Sequence, residues 1–398
     1  MWQPVSRTVW YLGFTSLLTD LSSEMVASVL PLYLVVQLHL SPLAFGALDG
    51  LYNGVTALTR WASGIAGDRW RRHKEVAVAG YAVSAVCRLG MLAAGRDLSA
   101  IAAVITADRL GKGIRTVPRD TLISLTASPQ QLGQAFGVHR ALDAAGALLG
   151  PLCAFGLLAL VPGGFDVIFV TSFSVAIVGV GVLLLFVENN TSPADVAGER
   201  HGSIRAAFRL LQLANFRRVV AVASGLGLLT ISDAFVYLVL REHVSGATYL
   251  FPLLYVGTAS FYLLLAIPVG RLADRWGRFR VFVLGHGALL ALYGLLLAAS
   301  PHTIGLLVGV ALLGSYYAAT DGVIVALASG MLPGAARGSG LAILTTATSL
   351  SRLVASLVFG WAWTAMGRDV AIAYFGVALI LGLVFASRLG PHREDIDA

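Results

Sequence analysis

The stretch "GRLADRWGRFR", Gly270–Arg280, places a small island of charge between two long apolar runs. A near copy, "GIAGDRWRRHK", Gly64–Lys74, lies 206 positions earlier and keeps the triplet Asp-Arg-Trp. Two copies of a charged motif, each flanked by similar apolar sequence, indicate that the chain contains an internal repeat. The apolar sequence on either side of the islands predicts the secondary structure of the repeated unit.

The composition is typical of an integral membrane protein. The 398 residues are 57% hydrophobic and 12% charged, and the mean hydropathy is +0.80. Apolar runs of about 20 residues, long enough to cross a hydrocarbon core of about 30 Å as helices, follow one another along the chain. Because an open sheet would leave backbone groups unpaired in lipid, the predicted fold is all-α, with twelve transmembrane helices in two pseudo-symmetric six-helix bundles. The predicted spans are 8–37, 42–66, 75–95, 97–118, 132–161, 165–187, 215–240, 247–269, 280–300, 302–326, 337–363 and 369–388.

One long polar segment divides these spans into two sets of six. We therefore predict an N-terminal six-helix bundle at 1–187, a cytoplasmic linker at 188–214, and a C-terminal six-helix bundle with a short cytoplasmic tail at 215–398. Because six is even, both halves begin and end on the same side of the membrane, and the repeats are parallel. Each charged island then falls between the second and third spans of its half. Two pairs of acids repeat 213 positions apart, Asp20 with Asp233 and Asp108 with Asp321.

The distribution of basic residues predicts the orientation. Of 28 Lys and Arg residues, 18 fall in the loops and span ends of one side and three on the opposite side. This bias places both termini and the linker in the cytoplasm, and a multi-pass protein of the inner (plasma) membrane is expected. The first span is too long for a signal peptide and carries acids, so it is expected to be retained. Because position accounts for the net charge of +7, no nucleic-acid partner is predicted.

The two islands resemble the signature of the major facilitator superfamily of secondary transporters, Gly-x-x-x-Asp-Arg/Lys-x-Gly-Arg-Arg/Lys. The resemblance extends over essentially the whole chain. It implies two six-helix bundles that rock about a central cavity lined mainly by spans 1, 4, 7 and 10, with a substrate site near the midplane. The matching residues are Gly270, Asp274, Arg275, Gly277 and Arg278 in the second island, and Gly64, Asp68, Arg69 and Arg72 in the first, where Arg71 replaces the second glycine.

Two further motifs are similar to patterns of this family. In the fourth span "RLGKG" resembles Arg-x-x-Gln-Gly, with Lys112 in place of the glutamine. In the fifth span Gly146, Gly150 and Pro151 resemble the antiporter pattern Gly-x-x-x-Gly-Pro, although the two glycines that should follow are absent. The resemblance favours antiport. These small residues also predict a surface for close helix packing.

Two acids in the first span are the first candidates for proton coupling. An ionisable group at membrane depth costs about 2.5 to 3.5 kcal/mol, so it needs a partner, a wet cavity or a function. In "TDLSSEM", Asp20 and Glu24 are four residues apart and share a helical face. Two such carboxylates repel each other, so one of them is expected to bind a proton, as a proton carrier requires. The alternative is that they pair with an arginine of a neighbouring helix and remain ionised.

The fourth span contains a row of charges, "ADRLGKGIRTVPRD". Asp108, Lys112, Arg115 and Arg119 share one face, with the acid first and the bases following toward the cytoplasm. Arg109 is predicted to belong to the coupling or substrate site. Arg119 is predicted to lie at the end of the helix and to contact a loop acid or headgroups, because Pro118 should kink or end the helix.

The fifth span adds a titratable group. In "HRALDAAGALLGP", His139 and Asp143 share a face, with Arg140 beside them. A histidine can exchange a proton near physiological pH, but an Asp143–Arg pair that only joins two helices is an equally good interpretation. The second half is poorer in such groups, with Asp233, Asp321 and Arg352 as its ionisable candidates.

The islands themselves are predicted to form a cytoplasmic gate. In each, a glycine would permit close helix approach, and the arginines could reach the aspartate or a neighbouring helix end. The alternative is that they serve only as topology signals. The gate residues are Gly64, Asp68, Arg69, Arg72, Gly270, Asp274, Arg275 and Arg278.

The sequence thus predicts a transporter and not an enzyme. It contains no His-Glu-x-x-His, nucleophile elbow or P-loop, and no cluster of metal-ligand spacing, so we expect no metal, no cofactor and a transport cycle driven by ion gradients. The leading hypothesis is proton-coupled efflux of a small organic solute by a monomer in the lipid bilayer. Alternatives are a proton-coupled uptake permease for an organic anion or metal chelate and, more remotely, a non-transporting membrane sensor.

Overall fold

The computed structural model describes residues 6–70, 73–128, 131–188, 209–241, 248–298, 303–333 and 337–389, without the side chains of 56–58, 60–70 and 303. Within these ranges the chain is helical and contains no strand. This confirms the predicted all-α membrane fold. The twelve long helices are α1 (Arg7–Gln37), α2 (Pro42–Trp70), α3 (His73–Ala94), α4 (Leu98–Thr126), α5 (Leu132–Leu160), α6 (Phe165–Phe186), α7 (Ala214–Arg241), α8 (Phe251–Trp276), α9 (Arg278–Leu297), α10 (Thr303–Gly330), α11 (Arg337–Met366) and α12 (Arg368–Leu389).

Ten of the described helices are long and apolar enough to cross a membrane by themselves. The other two, α2 and α4, each have 29 residues. In α4 the obstacle is charge, because it contains Asp108, Arg109, Lys112, Arg115, Arg119 and Asp120.

The start and end of α4 have local causes. Asp97 caps the helix, since its Oδ1 accepts hydrogen bonds from the backbone N–H of Ser99 at 2.9 Å and from the Ser99 hydroxyl at 2.6 Å. The bond from that hydroxyl lowers the pKa of Asp97. The predicted end at Pro118 is wrong, because α4 continues to Thr126. Beyond the proline, Leu122 is fully buried in a cluster formed with α1, α3, α5 and α6, and this packing offsets the hydrogen bond that proline cannot make.

The described residues group into two compact units. The first contains residues of 1–40, 55–197 and 248–253, and the second contains residues of 41–54, 198–247 and 254–398. In the first unit, α1 packs against α5 and α6, and α3 packs against α4 and α6. In the second unit, α7 packs against α11, and α9 packs against α10 and α12. Since α7 also contacts α12, each pairing of the first unit has its counterpart six helices later, and the internal repeat is visible in the packing.

Small residues of α5 bring it close to α1. A Cβ atom added to Gly146 would collide with the carbonyl oxygen of Leu17, and one added to Gly150 would lie 2.8 Å from that of Leu21. Only glycine therefore permits this separation of the two helix backbones.

Helix α7 is interrupted. Its first segment is Ala214–Leu228 and its second is Asp233–Arg241. The Tyr293 hydroxyl of α9 satisfies two backbone groups at the break, since it accepts a hydrogen bond from the N–H of Ile231 at 2.7 Å and donates one to the carbonyl of Leu229 at 3.1 Å. An interruption inside an apolar helix is thus stabilised by one buried phenol.

Candidate functional site

The charged row of α4 lies inside the first unit. Asp108, Arg109, Arg115 and Arg119 are between 2% and 7% exposed, whereas Lys112 is half-buried. The partners of these groups come from α1, α3, α4 and α5. Burial of so many ionised groups requires that most of them be paired.

Asp108 is shared by two guanidinium groups. The Arg88 Nη1 of α3 lies 3.0 Å from one carboxylate oxygen, and the neighbouring Arg109 binds the other. Arg88 also donates a hydrogen bond to the Ser23 hydroxyl of α1 at 2.9 Å. Two cations on one anion give this cluster a formal charge of +1. Sequence reasoning missed Arg88, although an isolated arginine within an apolar span was the available signal.

A second cluster surrounds Asp20 of α1. Its carboxyl lies 3.7 Å from the Arg115 Nη2, and the carboxyl of Asp143 from α5 lies beside it. The Arg115 guanidinium lies over the ring of Tyr81, 4.5 Å from its centroid. The structure therefore brings together two of the predicted acids, Asp20 and Asp143, beside a buried cation.

Lys112 and Glu24 complete this region. The Lys112 ammonium is close enough to Asp20 and Glu24 to interact with both electrostatically. Among the described residues, neither Lys112 nor Glu24 forms an ion pair within 4 Å, and the Arg115 Nη1 has no hydrogen-bond partner. Lys112, Glu24 and the Arg115 Nη1 could therefore form further hydrogen bonds, for example to a solute.

The third cluster is centred on Arg119. Its guanidinium pairs with Asp120 at 2.9 Å and lies 3.8 Å from Asp143. It also donates to the Ser16 hydroxyl at 3.4 Å. The expected contact of Arg119 with a loop acid or headgroups is wrong, because α4 extends past it and both acids belong to helices.

His139 and Arg140 have separate environments. His139 is fully buried, and its Nε2 lies 2.8 Å from the Ser16 hydroxyl. Arg140 is 66% exposed and lies 3.9 Å from Asp143. In this structure His139 therefore contacts α1, while Asp143 interacts with arginines of α4 and α5.

The second unit has a smaller polar cluster. Asp233, at the start of the second segment of α7, accepts a hydrogen bond from the Tyr317 hydroxyl at 2.6 Å. Arg352 of α11 lies 4.0 Å from Asp321 and over the ring of Tyr317, 6.0 Å from its centroid. The ring centroids of Tyr237 and Tyr255 are 4.4 Å apart. Arg352 thus pairs with Asp321, interacts electrostatically with Asp233 and lies over an aromatic ring.

In the second charged island, Arg278 contacts Asp274 and Ala326, and we call these contacts the Arg278 clasp. The Arg278 guanidinium binds Asp274 at 2.9 Å and donates to the backbone carbonyl of Ala326, near the end of α10, at 3.1 Å. Gly277, with φ of +102°, makes the turn between α8 and α9. The expected close approach at Gly270 is not present, because a Cβ there would have nothing within 4 Å. In the first island, the side chains of Gly64, Asp68 and Arg69 and all of Arg72 lie outside the described residues.

Helices of membrane-spanning length with paired charges buried among them are typical of a polytopic membrane transporter. The profile of the Major Facilitator Superfamily matches residues 12–261. An uncharacterised MFS-type transporter of Methanocaldococcus jannaschii is 30% identical over 393 residues, which cover 96% of this chain and 94% of that protein. This chain belongs to the major facilitator superfamily and is a transporter, not an enzyme.

Solved structures show the same fold. A crystal structure of the nucleoside transporter NupG aligns with a TM-score of 0.81 and 15% identity, covering 96% of this chain and all of the other. A D-xylose-proton symporter aligns with a TM-score of 0.73 and 16% identity, covering 96% and 97% of the two chains. At these identities the likeness establishes the architecture alone.

Proposed function

We propose that this secondary transporter exports a small organic solute in exchange for protons, and that Asp20 carries the coupled proton. Family membership supports transport of small molecules across a membrane. The direction, the coupling ion and the carrier group are the proposed elements, and they rest on the geometry around Asp20.

The observation that carries the proposal is the approach of Asp20 to Asp143. Two carboxyl groups can hydrogen-bond to each other only when at least one of them holds a proton. Arg115 and Arg119 lie at 3.7 and 3.8 Å from this pair, where they can stabilise its ionised form without forming tight contacts with it. The pair is thus suited to gain and lose one proton during a transport cycle.

Exchange of solute for protons would follow if the two compete for one binding site. Asp20 and Glu24 are partly accessible, and both lie near the half-buried Lys112. A proton and a cationic or amphipathic solute would both be stabilised by the same carboxylate, so binding of one favours release of the other. The fifth-span pattern containing Gly146, Gly150 and Pro151 supports the same direction.

The arrangement in the membrane is also proposed. The excess of basic residues on one side supports an orientation with both termini cytoplasmic. We place the protein in the plasma membrane as a monomer. The bundles are assigned to 1–187 and 215–398, joined by the linker 188–214. The charged islands are assigned to the cytoplasmic gate, and the contacts of Arg278 support this role.

A second candidate, uptake of an organic anion with protons, has one observation in its favour. The Arg115 Nη1 has no described hydrogen-bond partner, and Lys112 has no described ion pair, so both could bind a carboxylate. Asp108 already has two guanidinium groups, which leaves that cluster with a surplus positive charge.

Transport by reconstituted protein distinguishes the two candidates. Proteoliposomes with an imposed proton gradient would be tested with ethidium, an amphipathic cation, and benzoate, an organic anion. Proton-driven movement of ethidium opposite to the proton flux supports export, whereas co-movement of benzoate with protons supports uptake and contradicts export.

The role of Asp20 is tested in the same vesicles. Asp20→Asn should abolish gradient-driven movement while ethidium exchange at equal pH continues, because the solute site remains but the proton carrier is lost. Asp97→Asn is the matched control, since asparagine also caps helices and this residue lies in a loop. Gradient-driven transport that survives in Asp20→Asn would refute the assignment.

A further inference from the structure

The first part of α2 belongs to the second unit. Residues 41–54 pack on α11, while the rest of α2 groups with the first unit. A Cβ at Gly46 would lie 3.2 Å from the Cα of Gly360, so the two backbones are in direct contact. The Leu43 N–H donates a hydrogen bond to the Thr364 hydroxyl at 3.0 Å. This part of α2 is therefore fitted closely to one face of α11.

Asp49 lies within this contact. Its Oδ2 accepts a hydrogen bond at 2.7 Å from the hydroxyl of Ser356, which is fully buried. The Ser232 hydroxyl lies beside the same carboxyl and has no hydrogen-bond partner among the described residues. One turn earlier, Phe45 packs edge-on against Phe235, with ring centroids 4.8 Å apart. The carboxyl is thus held between hydroxyl groups next to an aromatic core.

The charges around Asp49 do not compensate a negative carboxylate. Among the described residues no basic side chain forms an ion pair with it, and the nearest arginine on α11, Arg352, is paired with Asp321. The polar and titratable groups that face Asp49 are Ser232 and Asp233 from α7, Tyr255 from α8 and Ser356 from α11. A second acid nearby makes an anion at this position still less favourable.

A protonated carboxyl suits these surroundings. Ser356 donates to one oxygen of Asp49, and a proton on the other oxygen could be donated to Ser232, so that every polar group has a partner. An ionised carboxylate would leave a half-buried charge without a counter-ion among the described residues, which costs more than a hydrogen-bonded neutral group. The contact between α2 and α11 therefore favours the protonated form.

We propose that Asp49 is a proton-binding site and that its bound proton holds residues 41–54 against α11. When the O–H bond of the carboxyl breaks and the proton passes to water, the carboxylate needs hydration, and residues 41–54 separate from α11. This site is distinct from Asp20, and its operation does not depend on the direction of transport.

Distance measurements on the full-length protein test this proposal without any solute. Spin labels would be placed on cysteines at Leu43, at the start of α2, and at Ile304, at the start of α10, in a Cys87→Ala, Cys153→Ala background reconstituted in lipid nanodiscs. Both positions are exposed and belong to the second unit. In mildly acidic buffer we expect one short distance, and in mildly alkaline buffer a several-fold larger population of a longer distance. Asp49→Asn should keep the short distance in both buffers, because the amide cannot ionise.

Controls separate this site from other acids. Asp369→Asn, at the exposed start of α12, should respond to pH like the parent protein, and so should Asp20→Asn. The proposal is overturned if the parent protein shows no change with pH, if Asp49→Asn retains the change, or if the change disappears in Asp20→Asn. A transport defect in Asp20→Asn with an intact distance change leaves both assignments standing, so the two can fail independently.

Discussion

At the scale of single residues, the decisive feature is that two arginines bind the single carboxylate of Asp108. Arg88 and Arg109 both bind it, so the three groups carry one net positive charge in a buried place. Removal of Arg88 would leave a neutral pair, whereas removal of Asp108 would leave two guanidinium groups without an anion. Removing Asp108 should therefore affect stability differently from removing Arg88, although the two form one ion pair.

Asp108→Asn should therefore destabilise the protein more than Arg88→Gln. Breaking a buried pair so that a charge is left uncompensated costs about 3 to 5 kcal/mol, and here two charges are left. The midpoint of thermal unfolding in detergent is the measurement, and Arg140→Gln, at an exposed position, is the control expected to change little. Equal losses for the two variants would contradict the shared-anion description.

Sequence spacing predicted part of this site. The intervals between Asp108, Lys112, Arg115 and Arg119 place them on one helical face, and that inference needs only the helical period. It could not supply their partners, because Arg88, Tyr81 and Ser16 come from helices far away along the chain, and their contacts depend on which helices are neighbours. Hence the sequence indicated where charges accumulate, but not how they pair.

At the scale of the helix, close packing and interruption are the two features with consequences. The sequence predicted the helices well because an apolar run must be about 20 residues long to cross the membrane. It predicted α4 too short, since burial beyond Pro118 outweighs the local effect of proline. It also predicted α7 as continuous, because the group that stabilises its interruption, Tyr293, belongs to α9.

The α1–α5 contact predicts a difference between two glycines of one helix. Gly146→Val should sharply lower the yield of monodisperse protein, because its side chain would collide with the backbone of Leu17 and overpacking costs about 1 to 3 kcal/mol or more. Gly156→Val is the matched control, since nothing lies within 4 Å of a Cβ at that position of α5. Size-exclusion chromatography of fluorescent fusions would show both results. A normal profile for Gly146→Val would mean that α1 and α5 are not closely packed.

The interruption of α7 predicts that the hydroxyl oxygen of Tyr293 contributes to thermal stability. Tyr293→Phe should lower thermal stability, because it leaves the Ile231 N–H and the Leu229 carbonyl unpaired and each buried unpaired group costs about 1 to 3 kcal/mol. Tyr374→Phe, at an exposed position of α12, should have little effect. An unchanged unfolding midpoint in Tyr293→Phe would show that the break is stabilised by other groups.

At the scale of the whole molecule, transport requires that conformational states have similar free energies. A contact shifts their populations only by the difference in its strength between them. The proposed gate role requires that the contacts of Arg278 with Asp274 and Ala326 differ in strength between these states. The proposed gate therefore predicts an effect on populations and not on folding.

Asp274→Asn should leave abundance near normal, slow transport, and raise the reactivity of cysteines placed in the cytoplasmic half of the proposed central cavity. A difference of about 1 to 3 kcal/mol would change the populations about fivefold to 150-fold. Asp68→Asn is expected to have the larger effect, since the first half carries more buried charge. Asp369→Asn serves as the control. Normal transport and unchanged cysteine reactivity in both island variants would leave the islands as topology signals.

The six charges of α4 also bear on how the chain is made. During synthesis this helix would meet the lipid before its later partners exist, and each charge at membrane depth costs about 2.5 to 3.5 kcal/mol. Asp108, Arg115 and Arg119 pair with groups on α3, α1 and α5, so α4 should not remain inserted until α5, which carries Asp143, has been synthesised. Glycosylation mapping of truncated chains would show this as failed integration of α4 when the chain stops before α5, and as integration when α5 is included. The charges that prepare the mature protein for transport would thus make its biogenesis cooperative, with the first five helices entering the bilayer as a group.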